Sequence, residues 1–316
     1  MSVITKGTTG LRHLGYIDLP EHVGQGGFDH AAVHQGHRML YVAHTANDAV
    51  DVIDLEDGRH LRSVTGLKGV AGALVSESED RVFTSNRGEN TVSMFSAGSD
   101  EGSSKIAVGV RPNGLAYDPA RRLLLCANVG DPSVPAPASL TLVDVAAWSV
   151  AATVPATGRT RWAVHDPERG KFFVNIADSP EILVIDARRP ESVSGRIAVP
   201  ARGPHGLELD STRRRLYCAC DEGVLVSIDP DSGDIQGTLE LSGAPDVVFL
   251  NRTRTRLYVA IGDPGIIDVI DVALWRKAES VPTEHGTHTL AFDGTTDRVY
   301  AFLPRSHRAS VYHDPI

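Results

Sequence analysis

The sequence predicts an all-β fold: one seven-bladed β-propeller over residues 1–316, its ring closed by an N-terminal strand joining the C-terminal blade. Three observations lead there. Short β-rich runs recur between Gly, Asp, Asn and Pro clusters, and regular helical periodicity is nearly absent. One unit of about 40–45 residues, the size of a four-stranded blade, repeats seven times.

Each unit opens with a short apolar strand and a polar turn ending in Arg. An L-Y-V-like strand, a polar loop and a V-x-V-I-D-like strand follow. The second and third strands are clearest as Leu40-Tyr41-Val42-Ala43-His44 with Val50-Asp51-Val52-Ile53-Asp54, and as Leu257-Tyr258-Val259-Ala260-Ile261 with Ile267-Asp268-Val269-Ile270-Asp271. Weaker copies contain Phe83, Cys126, Val174, Tyr217 and Tyr300. The lead position of the first strand is held in turn by His30, Ala71, Asn113, Trp162, His205, Asp246 and His288, spaced by 41, 42, 49, 43, 41 and 42 residues. The one long interval holds the Pro-rich insertion Gly130-Asp131-Pro132-Ser133-Val134-Pro135-Ala136-Pro137, which reads as an extended loop. The last unit, from Thr287, has room for three strands before Asp314. Leu11-Arg12-His13-Leu14-Gly15-Tyr16-Ile17-Asp18-Leu19 supplies the fourth, and pairing the chain ends removes an exposed sheet edge.

These repeats resemble the YVTN β-propeller family and, more loosely, lactonase-like and streptogramin-lyase-like seven-bladed propellers. The resemblance covers almost the whole chain and implies architecture more than reaction. The fourth signature position departs from it: Asn stands there at Asn86 and Asn128, but His44, Ile176, Cys220, Ile261 and Leu303 hold it elsewhere. Streptogramin-lyase-like propellers use His chemistry with a divalent ion, which makes an elimination a sensible analogue. No residue is carried over from them.

Composition narrows the function classes. Lys and Arg number 31 against 40 Asp and Glu, a formal charge of −9, which argues against nucleic-acid or anionic-membrane partners. No apolar run approaches the roughly 20 residues of a membrane span. The first ten residues lack the apolar stretch of a secretory signal, and Cys126, Cys218 and Cys220 form no disulfide framework. A soluble, cytoplasmic protein is expected; oligomeric state is open.

In a propeller the innermost strands line a central channel, and ligands bind where several blades converge. In ring order, His205, Asp246, His288 and His30 occupy four consecutive blades across the seam where the chain closes. Imidazole with carboxylate suits a divalent Zn, Fe, Mn or Ni ion, and an open set of this kind leaves positions for substrate. His288 or His30 can instead serve as a general base, and His44, ending the second strand of blade 1, is a further ligand or partner on the same side. On the other half of the ring, Arg111, Arg159, Arg161 and Arg202 with Asn113 and Trp162 form a set able to clamp a carboxylate or phosphate and stack a flat group. The competing reading is a polar, water-filled channel with solvated arginines.

Other features carry less. Gly24-Gln25-Gly26-Gly27 lacks the context of a phosphate loop. Asp229-Pro230-Asp231-Ser232-Gly233-Asp234 fits a hairpin turn better than a calcium loop. Cys218 and Cys220 read as core, and His34, His37 and His165, toward the opposite end of the inner strands, as surface residues. His285 is a loop residue near the mouth. The expected function is a metal-assisted lyase, isomerase or lactonase-like hydrolase acting on a small anionic metabolite. The alternatives are a non-catalytic binding module or a metal or ligand carrier.

Overall fold

The computed structural model describes residues 10–99, 102–133, 136–251 and 253–315. They form seven four-stranded antiparallel sheets, with one short 3-10 turn, Thr45–Asn47, as the helical element among the described residues. The innermost strands are Phe28–His34, Val70–Ser76, Pro112–Asp118, Thr160–Asp166, Pro204–Asp210, Pro245–Leu250 and Leu290–Asp293. Each lies beside the next, and the last returns to the first, so the sheets make a ring of blades 1 to 7. Blade 7 is composite: Arg12–Asp18 pairs antiparallel with Arg308–His313, as the repeat arithmetic requires. Residues 1–9, where the signal-peptide reading falls, lie outside the described residues, as do Val134 and Pro135 of the Pro-rich insertion. No described helix is long and apolar enough to cross a membrane.

The motifs that reveal the repeat are those that join the blades. Side chains alternate across a strand, so a sheet covered on both faces needs a continuous apolar run. Leu40 packs toward blade 7, and its neighbour Tyr41 packs toward blade 2. Seven apolar clusters result, one at each junction between blades. Tyr41, Tyr217, Tyr258 and Tyr300 of the L-Y-V signature are among the largest fully buried side chains. The closing Asp of V-x-V-I-D has a different role. Asp54 Oδ1 accepts the Glu56 and Asp57 amides at 2.8 and 3.0 Å, and Asp271 Oδ1 accepts those of Ala273 and Leu274 at 3.0 and 2.9 Å. These side chains close the outer turn by satisfying amides that no strand reaches.

One irregularity recurs six times and sets up the site. In blades 1 to 6 the pairing of first and second strands slips at the lead of the inner strand: between Phe28 and Ala31, Val70 and Gly72, Pro112 and Leu115, Thr160 and Ala163, Pro204 and Gly206, and Pro245 and Val248. His30, Ala71, Asn113, Trp162, His205 and Asp246 all sit inside these slips. A bulge leaves a residue out of the ladder and re-aims its side chain. Close approach of the strands is part of the arrangement: a Cβ on Gly206 would lie 2.2 Å from the Asp246 carbonyl oxygen. Blades 5 and 6 meet this closely because position 206 is Gly.

Closure rests on one strand, which allows a direct check. Ile17 is 5% exposed in the cluster joining blades 7 and 1. Ile17→Ala is expected to cost about 2–5 kcal/mol, the usual range for a buried Ile truncation, read as a lowered denaturation midpoint at unchanged slope.

Candidate functional site

At the channel mouth, blades 5, 6, 7 and 1 bring His205, Asp246, His288 and His30 to one side. His205 is held between two carboxylates: its Nδ1 donates to Asp221 Oδ1 at 2.7 Å, and its Nε2 lies 3.2 Å from Asp246 Oδ1. Burial alone would lower the His205 pKa, but the Asp246 charge and the bonds to Asp221 and Asp246 outweigh it and raise it to about 9. For Asp246, burial pushes the other way and loses again. The charge and hydrogen bond of His205, with smaller electrostatic help from the neighbouring His288 and His30, hold its carboxyl well below the usual carboxylate range. Asp246 is thus the anionic centre that three imidazoles share.

The other two imidazoles differ from His205. His288 Nδ1 lies 2.7 Å from the Gly286 carbonyl oxygen, which only accepts, so Nδ1 carries a proton and donates it. His30 is buried, and that burial lowers its pKa despite Asp29 and Asp246. Its Nε2 sits 3.4 Å from Asp29 Oδ1, and its ring lies 4.0 Å from that of Trp162, which reaches across from blade 4. Trp162 also meets Phe249 of blade 6 at 6.4 Å. The indole therefore forms a floor under the mouth. Below it a cavity of about 760 Å³ follows the channel, lined by apolar residues such as Leu115, Leu207 and Phe249 and by the carboxyl of Glu208.

The arginines divide. Arg161, inside the blade 4 bulge, is at the mouth: its Nη2 is 3.8 Å from Asp221 Oδ2 and its Nε is buried with no hydrogen-bond partner. Burial, then the nearby Arg159 charge, lowers its pKa. Arg111 and Arg159 instead line a separate groove of about 610 Å³ with Gly130, Asp131 and Pro137 of the Pro-rich insertion. Arg159 precedes the bulge, whereas Arg161 lies within it, and that separates them. Arg202 is 84% exposed and pairs with Glu222 at 3.2 Å, so it is a rim residue. Asn113 faces the mouth, where its Oδ1 accepts from Arg87 Nη2 at 3.0 Å.

Two expectations about histidines are corrected. His44 does not reach the mouth: it is fully buried, with Nδ1 2.7 Å from Asp51 Oδ2 and Nε2 2.8 Å from His22 Nδ1. It stands on a second strand, about 4.8 Å outside the channel lining, on the face it shares with Asp51. His34 and His165 are not surface residues: their side chains are 4% and 7% exposed, against Glu77 with Asp80 and against Asp118. His37 is 40% exposed, as expected for a turn, and His285 lies at the rim, 53% exposed beside Arg305.

Four residues at the channel escaped the sequence reading. Asp29 and Asp221 stand against the imidazoles of His30 and His205, and Glu208 lines the lower cavity, its carboxylate oxygens accepting the Leu209 and Leu250 amides. Arg87 bonds Asn113 and lies 3.4 Å from Asp29 Oδ2, and its buried Nε has no partner. Arg87 and Asp221 follow the second strands of blades 2 and 5. Loops at that place open on the mouth, and that was the signal available.

No protein-family model and no curated protein matches the chain. Solved structures do: 1786 chains match. Hydrazine synthase of Kuenenia stuttgartiensis superposes with a TM-score of 0.82 at 12% identity, covering 93% of this chain and 98% of that one. The chain has the seven-bladed β-propeller fold. At that identity the likeness concerns fold alone.

Glu208 provides a pH test of the channel. Burial raises its pKa from 4.5 to about 7, against the amides of Leu209 and Leu250 that favour the ionised form. The unfolded chain therefore releases this proton first, and the stability it contributes at pH 4.5 is lost as pH rises through about 7. Glu208→Gln is expected to flatten that fall in denaturation midpoint between pH 4.5 and 8, whereas a parallel profile would place the carboxyl in water.

Proposed function

We propose that the protein is a metal-assisted enzyme, a lyase, isomerase or lactonase-like hydrolase, acting on a small anionic metabolite at the channel mouth. One observation carries the reading: His205 and His288 both commit Nδ1 to an oxygen, on Asp221 and on Gly286, which leaves Nε2 as the nitrogen available to a ligand, and His205 Nε2 stands 3.2 Å from Asp246. Imidazoles that ligate a metal are oriented in this way, by giving the other ring N–H to a carboxylate or carbonyl. His205 and Asp246 already meet, and His288, whose donor atom stands outside a 4.8 Å cluster with them, would close on the pair to hold a divalent ion, for which Zn, Fe, Mn or Ni are the candidates. Such an ion, when bound, supplies Lewis acidity to a substrate oxygen.

The chain's own residues supply the rest. His205 releases the Nε2 proton it shares with Asp246 and keeps the Nδ1 proton on Asp221. Arg161 and Arg87, each with a buried Nε lacking a partner, bind the substrate anion. His30, kept neutral by burial and set against Asp29, takes a proton from the reacting carbon. Trp162 packs between His30 and Phe249 and narrows the channel at that level. The acidic surface disfavours nucleic acid and anionic membranes as partners. The L-Y-V and V-x-V-I-D repeats support a place near YVTN-type propellers, and the reduced thiols a cytoplasmic setting.

A second reading, a binding module without turnover, is favoured by one fact: both ring nitrogens of His205 are engaged by carboxylates, Asp221 and Asp246. Metal analysis of protein purified without a histidine tag separates the two. The enzyme reading expects an equivalent of divalent metal that Asp246→Asn and His288→Gln each weaken by about tenfold or more, as loss of a ligand or its support does. Metal binding that neither variant changes would remove this mechanism.

A further inference from the structure

A second group of donors lies at the opposite end of the ring. There the inner strands of blades 3, 4, 5 and 7 end in Asp118, Asp166, Asp210 and Asp293, each accepting turn amides and an arginine. Blade 1 ends in His34 instead. Its Nδ1 accepts the His37 amide at 3.1 Å, the bond an Asp oxygen makes in the other blades. The ring nitrogen beyond it has no such structural duty. His34 Nε2 is buried, on a side chain 4% exposed, and makes no hydrogen bond, although Asp80 Oδ1 of the neighbouring blade 2 turn stands 3.1 Å away. His37 Nε2 approaches the same oxygen at 2.6 Å. Donor atoms of His34, His37 and Asp80 all lie within 4.8 Å of one another, and among the described residues no other three His, Cys, Asp or Glu do so.

We propose that His34, His37 and Asp80 form a binding site for a divalent first-row transition metal, zinc fitting best, at the rim of the channel's lower opening. Two imidazoles and a carboxylate are the N/O donor set zinc takes. Tetrahedral bonds of about 2.0–2.2 Å place neighbouring ligand atoms roughly 3.3–3.6 Å apart. The His34–Asp80 separation of 3.1 Å is a few tenths of an ångström short of this, and the His37–Asp80 separation of 2.6 Å opens further, by roughly 0.7 Å, through the exposed His37 and Asp80 side chains. Ligation through His34 Nε2 needs the proton on Nδ1. Glu77 Oε2, 3.2 Å from Nδ1, is placed to accept it in exchange for the His37 amide bond. Glu77 is itself held by the Gln35 and Gly36 amides, so this carboxylate is anchored. His37 and Asp80 are 40% and 55% exposed, which leaves further positions of the ion open to solvent. Gln35 and Glu77 also line the 760 Å³ cavity, so the ion stands where that cavity opens. Two turns distant in sequence, 34–37 and 77–80, become one site because blades 1 and 2 are neighbours.

The test is calorimetric titration of Zn²⁺ into the full-length, tag-free, metal-stripped chain. It is run in the Asp246→Asn background so that the mouth does not contribute. One equivalent is expected to bind there, and His37→Gln and Asp80→Asn, both solvent-facing changes, are each expected to weaken it tenfold or more. Co²⁺ is the second probe: its visible absorption bands should appear in the Asp246→Asn protein and fade in both double variants. Zinc affinity and Co²⁺ bands that His37→Gln and Asp80→Asn leave unchanged would overturn the site. So would the absence of any bound equivalent in the Asp246→Asn background with circular dichroism intact.

Discussion

Ring closure is the constraint on which the rest depends. Six blades are continuous in sequence, but the seventh exists only because Arg12–Asp18 completes the sheet of Arg308–His313. That pairing satisfies an edge of backbone donors and acceptors and packs Ile17 into the junction between blades 7 and 1. It also brings His288, the last lead position, beside His30, the first, although they stand at opposite ends of the chain.

Within the closed ring, a backbone irregularity positions the chemistry. A regular inner strand would send successive side chains to the two neighbouring blades and leave none for the axis. The repeated bulge frees one residue per blade, and six of the seven lead residues sit in it. Their electrostatics are then cooperative. Asp246 is buried enough to strengthen its interactions and paired enough to stay anionic, and His205 is cationic because of it. Trp162 separates this polar mouth from an apolar channel in which Glu208 favours its neutral form.

The architecture was legible because it is periodic. A unit repeated seven times gives blade number, strand order and the missing strand by arithmetic, and the L-Y-V alternation names the residues buried on each side. The imidazoles of the mouth were legible for the same reason, since His205, Asp246, His288 and His30 share one register. What was not legible depends on contacts between different registers. Arg87 and Asp221 come from loops after second strands, and Arg111 and Arg159 diverge from Arg161 through the bulge. His44 looked equivalent by position, but it belongs to a strand one place farther from the axis. His34 looked superficial because its cover, Glu77 and Asp80, comes from a neighbouring turn that no local pattern marks.

The most direct measurement of the central claim is anomalous diffraction from crystals grown with Zn²⁺, recorded on both sides of the zinc absorption edge. A peak bounded by His205 Nε2, Asp246 and His288 Nε2 is the expected result, with His205 Nδ1 still on Asp221. A channel mouth without anomalous density, its His205 still clasped between Asp221 and Asp246, would contradict the account.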